Sequence, residues 1–113
     1  MMRDMAKKSC TPCTGGTSPL QGEALRALHD ALGNAWELIQ GHHLEKTFQF
    51  ADYALAVAFT KRVAAIAEDQ DHHPDLLLSW GKVKVTIWTH KIDGLTESDF
   101  IFAAKAEEAF GAS

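Results

Sequence analysis

His72-His73-Pro74-Asp75-Leu76-Leu77-Leu78-Ser79-Trp80-Gly81-Lys82-Val83-Lys84-Val85-Thr86-Ile87-Trp88-Thr89-His90 reads as a β-hairpin entered through a histidine pair. Val83, Val85 and Ile87 alternate with Lys82, Lys84, Thr86 and Trp88, the period of a strand with one buried face, so Val83 to His90 is expected to be a strand. Leu76 to Trp80 is its partner and Gly81-Lys82 the tight turn. By parity His90 shares the face of Trp88 and points away from the valines. Pro74 disfavours helix at His73, which places the pair in a loop or at a strand entry. There, neighbouring side chains point to opposite sides, so the two imidazoles face different surroundings.

Upstream, Asp52 is a fitting cap for a helix whose stripe is Leu55, Phe59, Val63 and Ile66, with Lys61, Arg62 and Glu68 toward water. Asp69-Gln70-Asp71 ends it. Before that, Trp36 to Gln40 reads as a short strand and Gly41-His42 as a turn. His43 to Phe50 follows as a second strand, with Leu44, Phe48 and Phe50 on one face. Ser18 and Pro19 are expected to open the first helix, which carries Leu25, Leu28 and Leu32 and stops at Gly33. Downstream, Asp93-Gly94 marks a turn. Thr96 and Asp99 have the spacing of a capping box, opening a last helix that packs Phe102, Ala106 and Phe110. The order is α-β-β-α-β-β-α: an α+β fold with a single four-stranded antiparallel sheet and helices packed on one face.

The chain has 113 residues, enough for one domain, with 46% hydrophobic and 23% charged residues. A net charge of -4 does not suit a nucleic-acid surface, which is normally basic. No apolar run reaches membrane-spanning length, and the polar start lacks the apolar core of a signal peptide, so the expected compartment is the cytosol. Residues 1–17 are aperiodic and are expected to form a flexible arm, with the domain proper over 18–113. Cys10-Thr11-Pro12-Cys13 has the spacing of half a zinc site, for which His72-His73 is the one available second half. Adjacent side chains diverge, so two reduced thiols are the expectation, with no metal.

Six histidines occur in the chain, and they differ in promise. His29 and His42 read as surface residues and His43 as structural. His72, His73 and His90 lie at loops or strand ends, where groups that titrate near neutrality serve proton transfer. Asp99 can cap its helix and still aim a carboxylate at an imidazole. Trp80 and Trp88 offer flat walls for a planar ligand.

The run Glu68-x3-His72-His73-Pro74-x5-Trp80-x9-His90-x8-Asp99, with Thr89-His90 and Gly94-Leu95-Thr96, resembles the signature of pterin-4a-carbinolamine dehydratases. The resemblance extends from about the first helix to the last. It implies a four-stranded antiparallel sheet with helices on one face, and a homodimer or homotetramer. It also implies dehydration of 4a-hydroxytetrahydrobiopterin to quinonoid dihydrobiopterin, recycling the pterin of aromatic amino acid hydroxylases without metal or cofactor. His72 and His90 would then be the acid/base pair and His73 would bind the pterin. Asp71, Trp80, Trp88, Thr89, Lys91 and Asp99 would line or orient the site. The chain departs from the family where Leu76 replaces the usual Trp, Leu78 the frequent Asn and Trp80 the common Tyr. The alternatives are a non-catalytic binding protein on the same fold, of the transcription-factor dimerisation or Rubisco-assembly type, and a small zinc module.

Overall fold

A computed structural model describes residues 2–10, 18–33 and 35–111. Its elements are α1 (Met2–Lys7), α2 (Gly22–Leu32), β1 (Glu37–Ile39), β2 (His43–Gln49), α3 (Tyr53–Gln70), β3 (Asp75–Ser79), β4 (Lys82–Ile87), a 3-10 turn (His90–Ile92) and α4 (Glu97–Gly111). The four strands form one antiparallel sheet in the order β1-β2-β4-β3. The fold is α+β, as the periodicities predict.

Alternation in β4 sends Val83, Val85 and Ile87 fully inward, where they meet Phe48 and Leu44 of β2. Leu76 and Leu78 pair with Val85 and Val83 and pack on the same core. The leucines that replace polar or aromatic family residues are therefore partly buried and pack against the core. Phe48 and Phe59 approach to 4.7 Å between ring centroids and Phe48 and Phe110 to 5.0 Å, in tilted geometry. Lys46 also lies on this inner face. Its ammonium is 4.8 Å from the Phe48 ring centroid and pairs with Glu107, which accepts a 2.9 Å bond from Trp36 Nε1.

Asp52 caps α3 as expected, its carboxylate accepting from Leu55 N at 2.9 Å, and Asp71 ends the helix in a left-handed conformation with φ 50°. The stripe differs from the expectation. Ala56, Phe59, Val63 and Ala67 are buried, while Leu55 is 46% exposed. Small side chains let the helix approach its neighbours, and a reading weighted toward large apolar residues overlooks them. Helix α4 is buried from Ser98 through Ala104, because α1, α2 and α3 as well as the sheet pack around it.

Other expectations need correction. Helix α2 starts at Gly22 after Gln21, not at Ser18-Pro19. Pro19 and Leu20 instead lie along the loop before α4, where Leu20 N donates to Leu95 O at 2.8 Å. The β3–β4 turn is Trp80-Gly81, and β4 stops at Ile87, so His90 belongs to the 3-10 turn and not to a strand. Within the expected arm over 1–17, Met2–Lys7 form α1, which buries Met5 and Ala6 and is tied to α4 by a 2.7 Å bond from Lys105 Nζ to Ala6 O, while 11–17 lie outside the described residues. Cys10 Sγ donates to Ser98 O at 3.4 Å; Cys13 lies outside the described residues.

Candidate active site

Three backbone devices assemble the site. The left-handed Asp71 ends α3, and His72 N donates to Ala67 O at 3.1 Å, fixing where the histidine pair leaves the helix. Thr89 and Gly94 form an isolated bridge, with Thr89 N donating to Gly94 O at 2.8 Å, which closes the turn carrying His90. Close packing leaves no room on Gly94: a Cβ there would lie 2.8 Å from that of Pro19. The first turn of α4 then delivers Asp99.

Asp99 is fully buried, and its two oxygens join these segments. Oδ1 lies 2.7 Å from His72 Nε2. Oδ2 accepts from Thr89 Oγ1 and from Thr96 N, each at 2.8 Å. The bond to Thr96 N is the backward half of the capping box, so one carboxylate both starts the helix and holds an imidazole. A carboxylate only accepts, so His72 presents Nε2–H to it, and the lone pair of the neutral ring is at Nδ1. The His72 side chain is 14% exposed and meets the edge of Phe102.

His73 faces the other way, toward solvent, with Nε2 3.0 Å from Glu68 Oε1. His90 is exposed at the start of its turn, its ring 4.3 Å from that of Trp88. Thr89, between Trp88 and His90, is buried beside Asp99. Asp71 and Lys91 are exposed near the two histidine segments. Trp80 is not brought together with the others. It sits in the β3–β4 turn, at the opposite end of β4 from Trp88, and is 69% exposed. It lies five positions beyond Asp75, about 17 Å at the usual rise per residue.

Two residues read as ordinary prove to adjoin this region. His42 Nε2 is 2.7 Å from Asp93 Oδ1, and its Nδ1 is 3.1 Å from His43 Nδ1. Both rings lie beside Trp88, at 5.5 and 5.8 Å. The pairing of Leu44 with Ile87 is what places the start of β2 next to Trp88. His42 and Asp93 also line a cleft of about 420 Å³ with Leu20, Gln21, Gln40 and Gly94. Among the described residues no three His, Cys, Asp or Glu side chains are grouped to hold a metal ion, and no helix is long and apolar enough to cross a membrane.

Comparison with known proteins identifies the family. The family model for pterin 4 alpha carbinolamine dehydratase matches residues 18–109. A relative from Alkaliphilus metalliredigens named pterin-4-alpha-carbinolamine dehydratase is 48% identical, the alignment covering 95% of this chain and 96% of that protein. One of the same name from Rubrobacter xylanophilus is 49% identical, over 94% and 98%. The crystal structure of a protein from Brucella melitensis, described as a transcriptional coactivator/pterin dehydratase, superposes with a TM-score of 0.76 at 30% identity. It covers 81% of this chain and 98% of that one.

Proposed function

Given that the chain belongs to the pterin-4a-carbinolamine dehydratase family, we propose that it dehydrates a 4a-hydroxytetrahydropterin to the quinonoid dihydropterin by histidine acid/base catalysis. The observation that carries this reading is the buried Asp99 carboxylate, which binds His72 through one oxygen and, through the other, the Thr89 side chain next to His90. Elimination of water needs a proton delivered to the C4a hydroxyl and a proton removed from N5. The C4a–O bond breaks, its electron pair leaves with the water, and the N5–H electrons form the new C=N bond. Two imidazoles suffice for this, each proton transfer typically giving about 10²–10⁴-fold.

His72, with Nε2 committed to Asp99, exchanges its proton through Nδ1, and the carboxylate stabilises the imidazolium when that proton is bound. His90 serves as the complementary acid or base. His73 binds the pterin and steadies developing charge, with Lys91 and Asp71 at the rim. Trp88, whose ring lies 4.3 Å from that of His90, suits contact with a planar heterocycle. The cleft beside His42 and Asp93 falls within the about 300–1,000 Å³ common for small-ligand sites. None of the three motif histidines lines it, so it would take a substituent rather than the reacting ring. The physiological setting proposed is pterin recycling for an aromatic amino acid hydroxylase, by a cytoplasmic homo-oligomer.

Stopped-flow measurement of 4a-hydroxytetrahydropterin decay tests the reading, with acceleration over the spontaneous reaction expected. Decay at the uncatalysed rate would refute it and favour the second reading, a binding protein on the same fold, which the coactivator description of the Brucella melitensis neighbour supports.

A further inference from the structure

We infer that His42 is a positioning residue for His90, acting through Trp88 and Asp93; the inference rests on the proposed role of His90 in proton transfer. Among the described residues, the His90 ring has no hydrogen-bond partner, and its one ring contact is with Trp88, 4.3 Å away. An exposed imidazole held by one aromatic face is only as well placed as that face. Trp88 lies between the last residue of β4 and the Thr89–Gly94 bridge, which fix its backbone but not its ring, so the ring depends on side-chain neighbours. On the other side of the sheet pairing those neighbours are His42, at 5.5 Å and tilted by 44°, and His43, at 5.8 Å.

His42 is suited to the task because both of its nitrogens are occupied. Asp93 accepts from Nε2–H at 2.7 Å, which leaves Nδ1 to accept from His43 Nδ1–H at 3.1 Å. An imidazole bonded at both ends cannot spin about its outer torsion without losing one bond. The Asp93 end matters further: its backbone N–H donates to His90 O at 3.2 Å and ends the turn that His90 begins. The contacts therefore close on themselves, from the His90 backbone to Asp93, to His42, to Trp88 and back to the His90 ring. His42 is the link that comes from a different hairpin. It fixes ring and backbone of His90 against one another.

The test pairs a spectroscopic measurement with kinetics on the full chain. Trp88, 4.3 Å away and tilted by 48°, displaces the His90 ring-proton resonances by its ring current. In His42→Ala these resonances are expected to move toward their free-imidazole positions, while those of His72, held by Asp99, stay in place. In the kinetics His42→Ala is expected to lower kcat about 10- to 100-fold, the scale of a misplaced reacting group, with KM changed less than about threefold. His42→Gln, whose amide can donate to Asp93 and accept from His43, is expected to restore most of both effects. Unmoved His90 resonances in a folded His42→Ala protein overturn the inference, as does a fall in thermal stability with kcat unchanged. Should the wild type lack dehydratase activity, the resonance shift still reports whether His42 places His90, so that failure is distinguishable from failure of the proposed function.

Discussion

His72 Nε2 and Asp99 Oδ1 lie 2.7 Å apart, although 27 residues separate them, and Asp99 reaches this contact from the inside of the protein with none of its surface exposed. A buried carboxylate is tolerable when hydrogen bonds replace its lost water. His72, Thr89 and the Thr96 backbone supply them. The histidine is thereby held in one tautomer and one orientation, a precondition for directional proton transfer.

Asp99→Asn tests this link with little change in shape. An amide can keep its oxygen on the two threonines and offer N–H to His72 Nε2, inverting the tautomer, or turn its oxygen to His72 and lose the bond from Thr96 N. Dehydration is expected to slow by about 10²-fold or more, the range of a misdirected general acid or base. Replacing hydrogen bonds to a charged acceptor should also cost about 1.5–3 kcal/mol of stability. Stopped-flow rates and calorimetry check both; a near-native rate would remove Asp99 from the mechanism.

His72→Ala and His90→Ala should each abolish most catalysis in a folded protein. His90 is exposed and His72 lies at the edge of the core, so neither truncation opens a large cavity. If the two work as one relay, their combined loss is expected to be little worse than either alone. His73→Ala should raise KM as much as it lowers kcat. Additive losses in the double variant would argue for independent roles.

Lys46 and Glu107 form an ion pair whose side chains are 17% and 8% exposed. Lys46→Met leaves the Glu107 charge with only the Trp36 N–H, and removing one partner of such a pair costs about 3–5 kcal/mol. Lys46→Met combined with Glu107→Gln should recover much of that loss, because no buried charge is left. Urea denaturation of the three variants decides it, and equal stability of Lys46→Met and wild type would show that the pair is effectively solvated.

Gly94→Ala is expected to damage both fold and site. The new methyl would contact Pro19 at 2.8 Å, forcing apart the loop before α2 and the bridge that holds Thr89. Overpacking of this kind costs about 1–3 kcal/mol. His90 rides on the same turn, so the rate of dehydration should fall even at temperatures where the variant is folded. A variant with native rate and stability would mean that Pro19 simply moves aside.

Deleting residues 1–10 should lower stability by about 2–3 kcal/mol, the value of burying a side chain such as Met5. Activity per folded molecule is expected to fall as well, since Cys10 bonds Gln70 at the end of α3 and Ser98 beside Asp99, the two segments that hold His72. An unchanged denaturation midpoint would restore the reading of this segment as a loose arm.

The sequence by itself determined the order of elements from α2 to α4, the buried face of β4, the cap at Asp52 and the loop placement of the histidine pair. Each is a local property: a period of two, a side chain that caps its own helix, a proline that restricts its predecessor. Where local signals were weak the reading slipped by a few residues, at the start of α2 and in the stripe of α3. Periodicity gave Leu55 more weight than Ala56, and no pattern in six residues announced that α1 would bury Met5. Tertiary structure alone decided which distant groups meet. Sheet order puts β2 beside β4, although α3 and β3 intervene in the chain, and that pairing brings His42 and His43 to Trp88. Packing of α4 against the end of α3 brings Asp99 to His72, while the extended β3–β4 hairpin carries Trp80 away. Such contacts depend on how whole elements stack around a shared core, which no residue's neighbours along the chain record.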